Sequence, residues 1–170
     1  MLARNEVILK WILYAAATAL FLLFQGAFCQ RLVIWGVIPF LYPMLAAIPA
    51  TFEDPAPAGV FALCLGVCCD LVLPEPIPCF CTLIFPAIAI CASLLSRGLL
   101  PAGFPCSLAV SAAAFLLTDL FRCFLQALTG QNPWATGLIL FCKEILITAP
   151  LLIPVTLLFR AVALKAHAFD

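Results

Sequence analysis

Six apolar runs, each followed by a short polar or proline-rich break, organise this chain from end to end. They cover about residues 11–29, 32–52, 58–73, 77–96, 106–128 and 135–163. The breaks are clearest at TFEDPAP (51–57), LPEPIP (73–78), LLPAGFP (99–105) and TGQNPW (129–134), all rich in residues suited to turns. A helix needs about 20 apolar residues to cross a hydrocarbon core of roughly 30 Å, so each run predicts one transmembrane helix, the third being the shortest. The second run carries Pro39, Pro43 and Pro49. Prolines free backbone carbonyls, which a membrane tolerates only where neighbouring helices or water satisfy them. That helix is therefore expected to be kinked or packed at the centre. No internal repeat, low-complexity stretch or domain boundary stands out. The predicted fold is an all-α integral membrane protein, a single six-helix transmembrane bundle over residues 1–170.

Composition narrows the function classes. Of 170 residues, 66% are hydrophobic and 9% charged, against roughly 25% charged in water-soluble proteins. Little chain is left outside the bilayer, which excludes a nucleotide-binding domain and a self-contained ATP-driven pump. Eight basic residues balance eight acidic ones, and no basic run points to nucleic acid or to an anionic-lipid patch. The ten cysteines, Cys29, Cys64, Cys68, Cys69, Cys79, Cys81, Cys91, Cys106, Cys123 and Cys142, lie mainly in apolar runs, where a thiol acts as a small hydrophobe. Cys79-x-Cys81 beside Cys68-Cys69 lacks the spacing or histidine partners of zinc sites, and the single histidine, His167, is in the tail. No metal or other cofactor is assigned. Arg4 and Lys10 ahead of the first run resemble a signal peptide, but the run is longer than a usual signal core and no small-x-small site follows. Phe28 also spoils GAFC as a lipoprotein signal, so helix 1 is read as retained.

Orientation follows from the basic residues near helix ends. With both termini in the cytoplasm, that side collects Arg4, Lys10, Arg97, Arg160 and Lys165, while the opposite loops hold only Arg31. Trp11 then falls near the inner interface, and Trp35 and Trp134 near the outer one.

Charges inside the runs are the candidate site. Asp70 closes the third run in GVCCDLVLPEPIP, Gly66 to Pro78, and points inward from the tip of a helical hairpin near the outer face. Asp119 and Arg122 in helix 5, and Lys143 and Glu144 in helix 6, fall in the same outer half. A mid-membrane charge costs roughly 2.5–3.5 kcal/mol on insertion scales, and pairing is the natural remedy. Asp119 and Arg122, three apart, share a helix face. Lys143 and Glu144 diverge by about 100°, so at most one faces Asp119. The expected pairs are Asp119 with Lys143, and Arg122 with Glu144 or turned outward. The cluster either fixes helix register or lines a polar pocket or partner groove.

There is no Walker loop, GxSxG, HExxH or paired DxxxD, and neither acid sits in a GxGD setting. The chain is read as non-enzymatic. A glycine-bearing third span ending in Gly66-Val-Cys-Cys-Asp70-Leu, a short turn, and a further apolar run ending in Leu95-Ser96-Arg97 resemble the bacterial rod shape-determining protein MreD family, as do the length and the six spans. The resemblance implies a scaffold of the cell-wall elongation machinery. Such a scaffold binds the bitopic protein MreC and, through it, links the actin homologue MreB to the glycosyltransferase RodA and its class B penicillin-binding protein. Asp70, Asp119, Arg122, Lys143 and Glu144 would be its architectural or partner-contacting residues, with membrane lipid around them. The family is similar in fold to the substrate-binding (S) subunits of energy-coupling-factor transporters. The alternative reading is therefore such a subunit for a vitamin or metal ion.

Overall fold

The computed structural model describes residues 2–72, 79–98, 103–128 and 134–167. Within them lie six helices: α1 (Leu2–Ala27), α2 (Tyr42–Ala50), α3 (Pro55–Val72), α4 (Phe80–Gly98), α5 (Phe104–Leu128) and α6 (Trp134–His167). Five of them, α1 and α3 to α6, are long and apolar enough to cross a membrane. The chain is an all-α, multi-pass membrane protein. The expected turns at 73–78, with Glu75, and most of those at 99–102 and 129–133 lie outside the described residues.

Prolines set several helix starts. Pro43, Pro55 and Pro105 occupy the first turns of α2, α3 and α5, where an N–H has no intrahelical acceptor to lose. Ala58 N–H accordingly bonds back to the Asp54 carbonyl (3.0 Å) and Ser107 N–H to that of Gly103 (2.9 Å). Thus α3 and α5 begin at Pro55 and Phe104, earlier than the apolar runs at 58 and 106 implied. Likewise α1 reaches back to Leu2 and α6 on to His167, because Arg and Lys end an apolar run without ending a helix. At the hairpin, α4 starts at Phe80 and not at 77.

The second crossing departs most from expectation. A helix over 32–52 is replaced by nine helical residues, Tyr42–Ala50. Pro43 is the cause: extended toward the N-terminus, the helix would need an N–H from residue 43 to the carbonyl of residue 39, and the proline ring would strike that carbonyl. Ahead of α2, Trp35 (φ 53°) and Gly36 (φ 78°) form a tight turn, closed by reciprocal backbone bonds of 3.0 Å between Ile34 and Val37. The backbone left over is satisfied from α1. Gln25, 2% exposed, donates through Nε2 to the Pro39 carbonyl (2.7 Å) and accepts through Oε1 from the Leu41 N–H (3.2 Å). One amide side chain replaces the missing helical bonds where lipid offers none.

This irregular segment still traverses the bundle. Glu53, just past α2, pairs at 2.8 Å with Lys10 near the start of α1. At the opposite end, the Trp35 carbonyl accepts from Lys143 Nζ at 3.4 Å. Residues 32–52 therefore return the chain from the far end of α1 to its near end, giving a sixth pass that is half extended. Helix α6 runs antiparallel to α1, with Tyr14 and Phe21 flanking Phe159 at 6.1 and 6.2 Å between ring centres. All nine α2 residues are buried, and α2 touches every other helix. Its alanines, Ala46, Ala47 and Ala50, allow that close approach.

At the near end, the corner between α2 and α3 is tied down by polar contacts. Ser93 Oγ of α4 donates to the Glu53 carbonyl (2.7 Å), and Arg97 pairs with Asp54. These bonds fix the depth at which α2 hangs in the bundle. Replacing Gln25 by the similarly sized leucine leaves the Pro39 carbonyl and the Leu41 amide without partners. At about 1–3 kcal/mol for each buried unmet group, Gln25→Leu is expected to lower the thermal midpoint in detergent sharply. Gln30→Leu, at an exposed position, is expected to leave it unchanged.

Candidate functional site

Asp70 ends the buried stripe of α3 and is met by the start of α4. The first amides of a helix have no intrahelical acceptor, and those of Cys81 and Thr82 donate to Asp70 Oδ1 (2.9 Å) and Oδ2 (2.8 Å). The Thr82 hydroxyl adds a third bond to Oδ2 at 2.6 Å. A carboxylate at a helix N-terminus also meets the positive end of the helix dipole. Asp70 is thus an N-terminal cap supplied from the neighbouring helix, half-buried and fully engaged. Cys79 enters that turn with φ 61°, outside the ordinary range for a side-chain-bearing residue.

Gly66 lies one turn earlier on the same face of α3. A Cβ there would stand 2.6 Å from the Cys81 carbonyl oxygen and 2.8 Å from Thr82 Cα. Both are backbone atoms that cannot swing aside, so only glycine lets α3 and α4 meet. The Gly66-x-x-x-Asp70 pattern is therefore one mechanical unit: the glycine permits the approach, and the acid, four residues on, locks it.

A second cluster joins α5 and α6. Asp119 is 6% exposed and neither carboxylate oxygen has a hydrogen-bond partner. Arg122 Nη1 stands 3.9 Å from Asp119 Oδ1. The guanidinium also lies over the rings of Phe40 and Phe80, at 5.4 and 5.5 Å from their centres. Those contacts bind α5 to the extended part of the second crossing and to the first turn of α4. Glu144, also 6% exposed, lies within electrostatic reach of Asp119 and Arg122. Beside this cluster a pocket of about 90 Å³ opens between α5 and α6, lined by Asp119, Leu116, Leu120, Cys123, Trp134 and Leu138.

Of the five candidate residues, Asp119, Arg122 and Glu144 come together. Asp70 is spent on capping, on the other side of the α4 start. Lys143 is not the partner of Asp119. It turns to the Trp35 carbonyl, while its neighbour Glu144 takes the buried face. The reason is reach: a lysine stem can carry its charge toward the membrane surface, whereas a short carboxylate cannot. The sequence reading missed Gln25, the Lys10–Glu53 pair and Ser93. Gln25 carried a signal, being an amide inside an apolar run and followed closely by a proline-rich one. Among the described residues no group of three or more histidine, cysteine or acidic side chains is placed to hold a metal ion.

Compared with family models, curated proteins and solved structures, the chain finds no match. Fold and site together define a multi-pass helical membrane protein with a capped α3–α4 hairpin and a buried, acid-rich α5–α6 cluster. Gly66→Ala is expected to part α3 from α4 at a cost of about 1–3 kcal/mol, and Asp70→Ala to remove a cap worth about 0.5–2 kcal/mol. Both would appear as lowered melting midpoints of the purified protein. Val67→Ala, on the exposed face of the same helix, serves as the neutral control. A Gly66→Ala midpoint equal to wild type would mean that the two backbones do not touch there.

Proposed function

We propose that the chain is a non-enzymatic scaffold of the bacterial cell-wall elongation complex that helps maintain cell shape. In this reading it lies in the cytoplasmic membrane with both termini in the cytoplasm. It holds an MreC-like bitopic protein and, through it, links MreB to RodA and its class B penicillin-binding protein. One observation carries the reading. The Gly66-x-x-x-Asp70 stretch, on which the resemblance to MreD rests, is a working part of the fold: it joins α3 to α4 through backbone contact and three hydrogen bonds. The bias of basic residues toward the end of the bundle that carries Lys10 and Arg97 supports the orientation.

The pocket at Asp119 favours the second reading, a substrate-binding subunit of an energy-coupling-factor transporter. The pocket itself, about 90 Å³, is small beside the roughly 300–1,000 Å³ of sites for vitamin-sized ligands, and the larger space adjoining it is an open apolar groove lacking the convergent polar groups of such sites, which weighs toward the scaffold. Affinity purification of the tagged protein from native membranes in mild detergent separates the two. Co-purification of MreC with RodA and its penicillin-binding partner is the expected result. Recovery of a coupling subunit with paired ATPases instead would overturn the scaffold reading.

A further inference from the structure

The pocket at Asp119 does not end at its own walls. Leu120 and Trp134 also line an open groove of about 480 Å³ between α4 and α5, whose other walls include Leu83, Ala87, Leu117 and Phe124. The groove is apolar and faces the bilayer, with Leu83, Leu120, Phe124 and Trp134 all more than half exposed. Behind the shared rim, Asp119 presents two buried oxygens that no hydrogen bond satisfies. Two carboxylates, Asp119 and Glu144, face one guanidinium, Arg122, among the described residues. The unsatisfied Asp119 carboxylate has room for a donor beside Arg122 and adjoins a surface shaped for hydrophobic bulk.

Depth decides what can supply both. Asp119 is nine residues from Leu128, the end of α5, or about 13 Å inside it at 1.5 Å of rise per residue. A phospholipid amine is held at headgroup level and brings a phosphate that two carboxylates would repel. A lysine or arginine on a transmembrane helix can sit at this depth, and is itself costly there unless it finds an acid.

We infer that the groove between α4 and α5 receives the transmembrane helix of a partner protein, and that a single lysine or arginine of that helix enters the adjoining pocket to pair with Asp119. The inference extends the scaffold reading only in that the occupant is a protein helix; it does not depend on which machinery the partner serves. Charge complementarity and the common Leu120–Trp134 rim carry it.

The test uses the purified full chain in phosphatidylcholine liposomes and synthetic leucine–alanine helices of about 24 residues. One helix carries a single lysine about nine residues from its outer end, and a second carries glutamine at that place. Binding is read by energy transfer between labelled peptide and protein. The lysine helix is expected to bind about tenfold more tightly, a difference of about 1.4 kcal/mol. Moving the lysine two residues, about 200° around its helix, is expected to abolish the preference, as is Asp119→Asn. Leu120→Trp, which fills the shared rim and leaves the carboxylate in place, should abolish it too and covers the case in which Asp119→Asn does not fold. Equal binding of the lysine and glutamine helices, or a lysine preference that survives these changes, would overturn the inference. Displacement of the lysine helix by an equal concentration of stearylamine would reassign the site to a cationic amphiphile. None of these results bears on the affinity purification, so the two readings fail separately.

Discussion

In a bilayer no water is at hand to complete a broken helix, and the architecture of this protein depends on how that constraint is met at its second crossing. The helix of the second crossing stops at Tyr42, next to Pro43, yet residues 32–41 must still pass through the bundle. The solution is burial on every side. A nine-residue helix is enclosed by all the others, and the extended stretch before it is completed by Gln25. The other helices serve in part as solvent for α2, which explains why the shortest element is the most central.

The two polar groupings around the starts of α4 and α6 divide the labour. The Gly66–Asp70 unit is satisfied within the protein: each carboxylate oxygen is matched with donors from α4. The α5–α6 cluster is the reverse. Asp119 is buried as deeply as a core residue but is left without a hydrogen bond, with Arg122 at the limit of ion pairing and also engaged with two aromatic rings. A satisfied acid maintains a fold, while an unsatisfied one in a low-dielectric setting is available for a partner.

Much of this was legible in the chain. Apolar length located the five long helices, and Pro39, Pro43 and Pro49 marked the second run for the centre. The positions of the acids inside apolar runs were also plain. What could not be read was the identity of their partners, because periodicity fixes which residues share a face but not what lies opposite. Asp70 found backbone amides, which every sequence contains and none advertises. Lys143 and Glu144 were equal candidates for the inward face until the packing of α6 turned the glutamate in. The extent of the second helix departs for a local reason: counting apolar residues treats Leu32 to Phe52 as uniform, whereas Pro43 lacks the N–H that would bond the Pro39 carbonyl and Gln25 takes that carbonyl instead. Helix ends drifted in the same way, since polarity ends a hydrophobic run at residues where the helix itself continues.

Gln25 also imposes an order on assembly during synthesis. It leaves the ribosome before Pro39 and Leu41, so the groups that will complete the second crossing are already in place when that crossing is made. Residues 32–41 have no way to shed water by themselves, and they are poor candidates for release into lipid as an independent segment. In physical terms the second crossing is therefore stable in lipid only beside the first helix, with α3 to α5 packed around the pair. For the second crossing the smallest self-consistent unit is not a helix of its own but the hairpin with α1 that ends at Glu53, because Gln25 supplies the bonds that residues 39–41 lack.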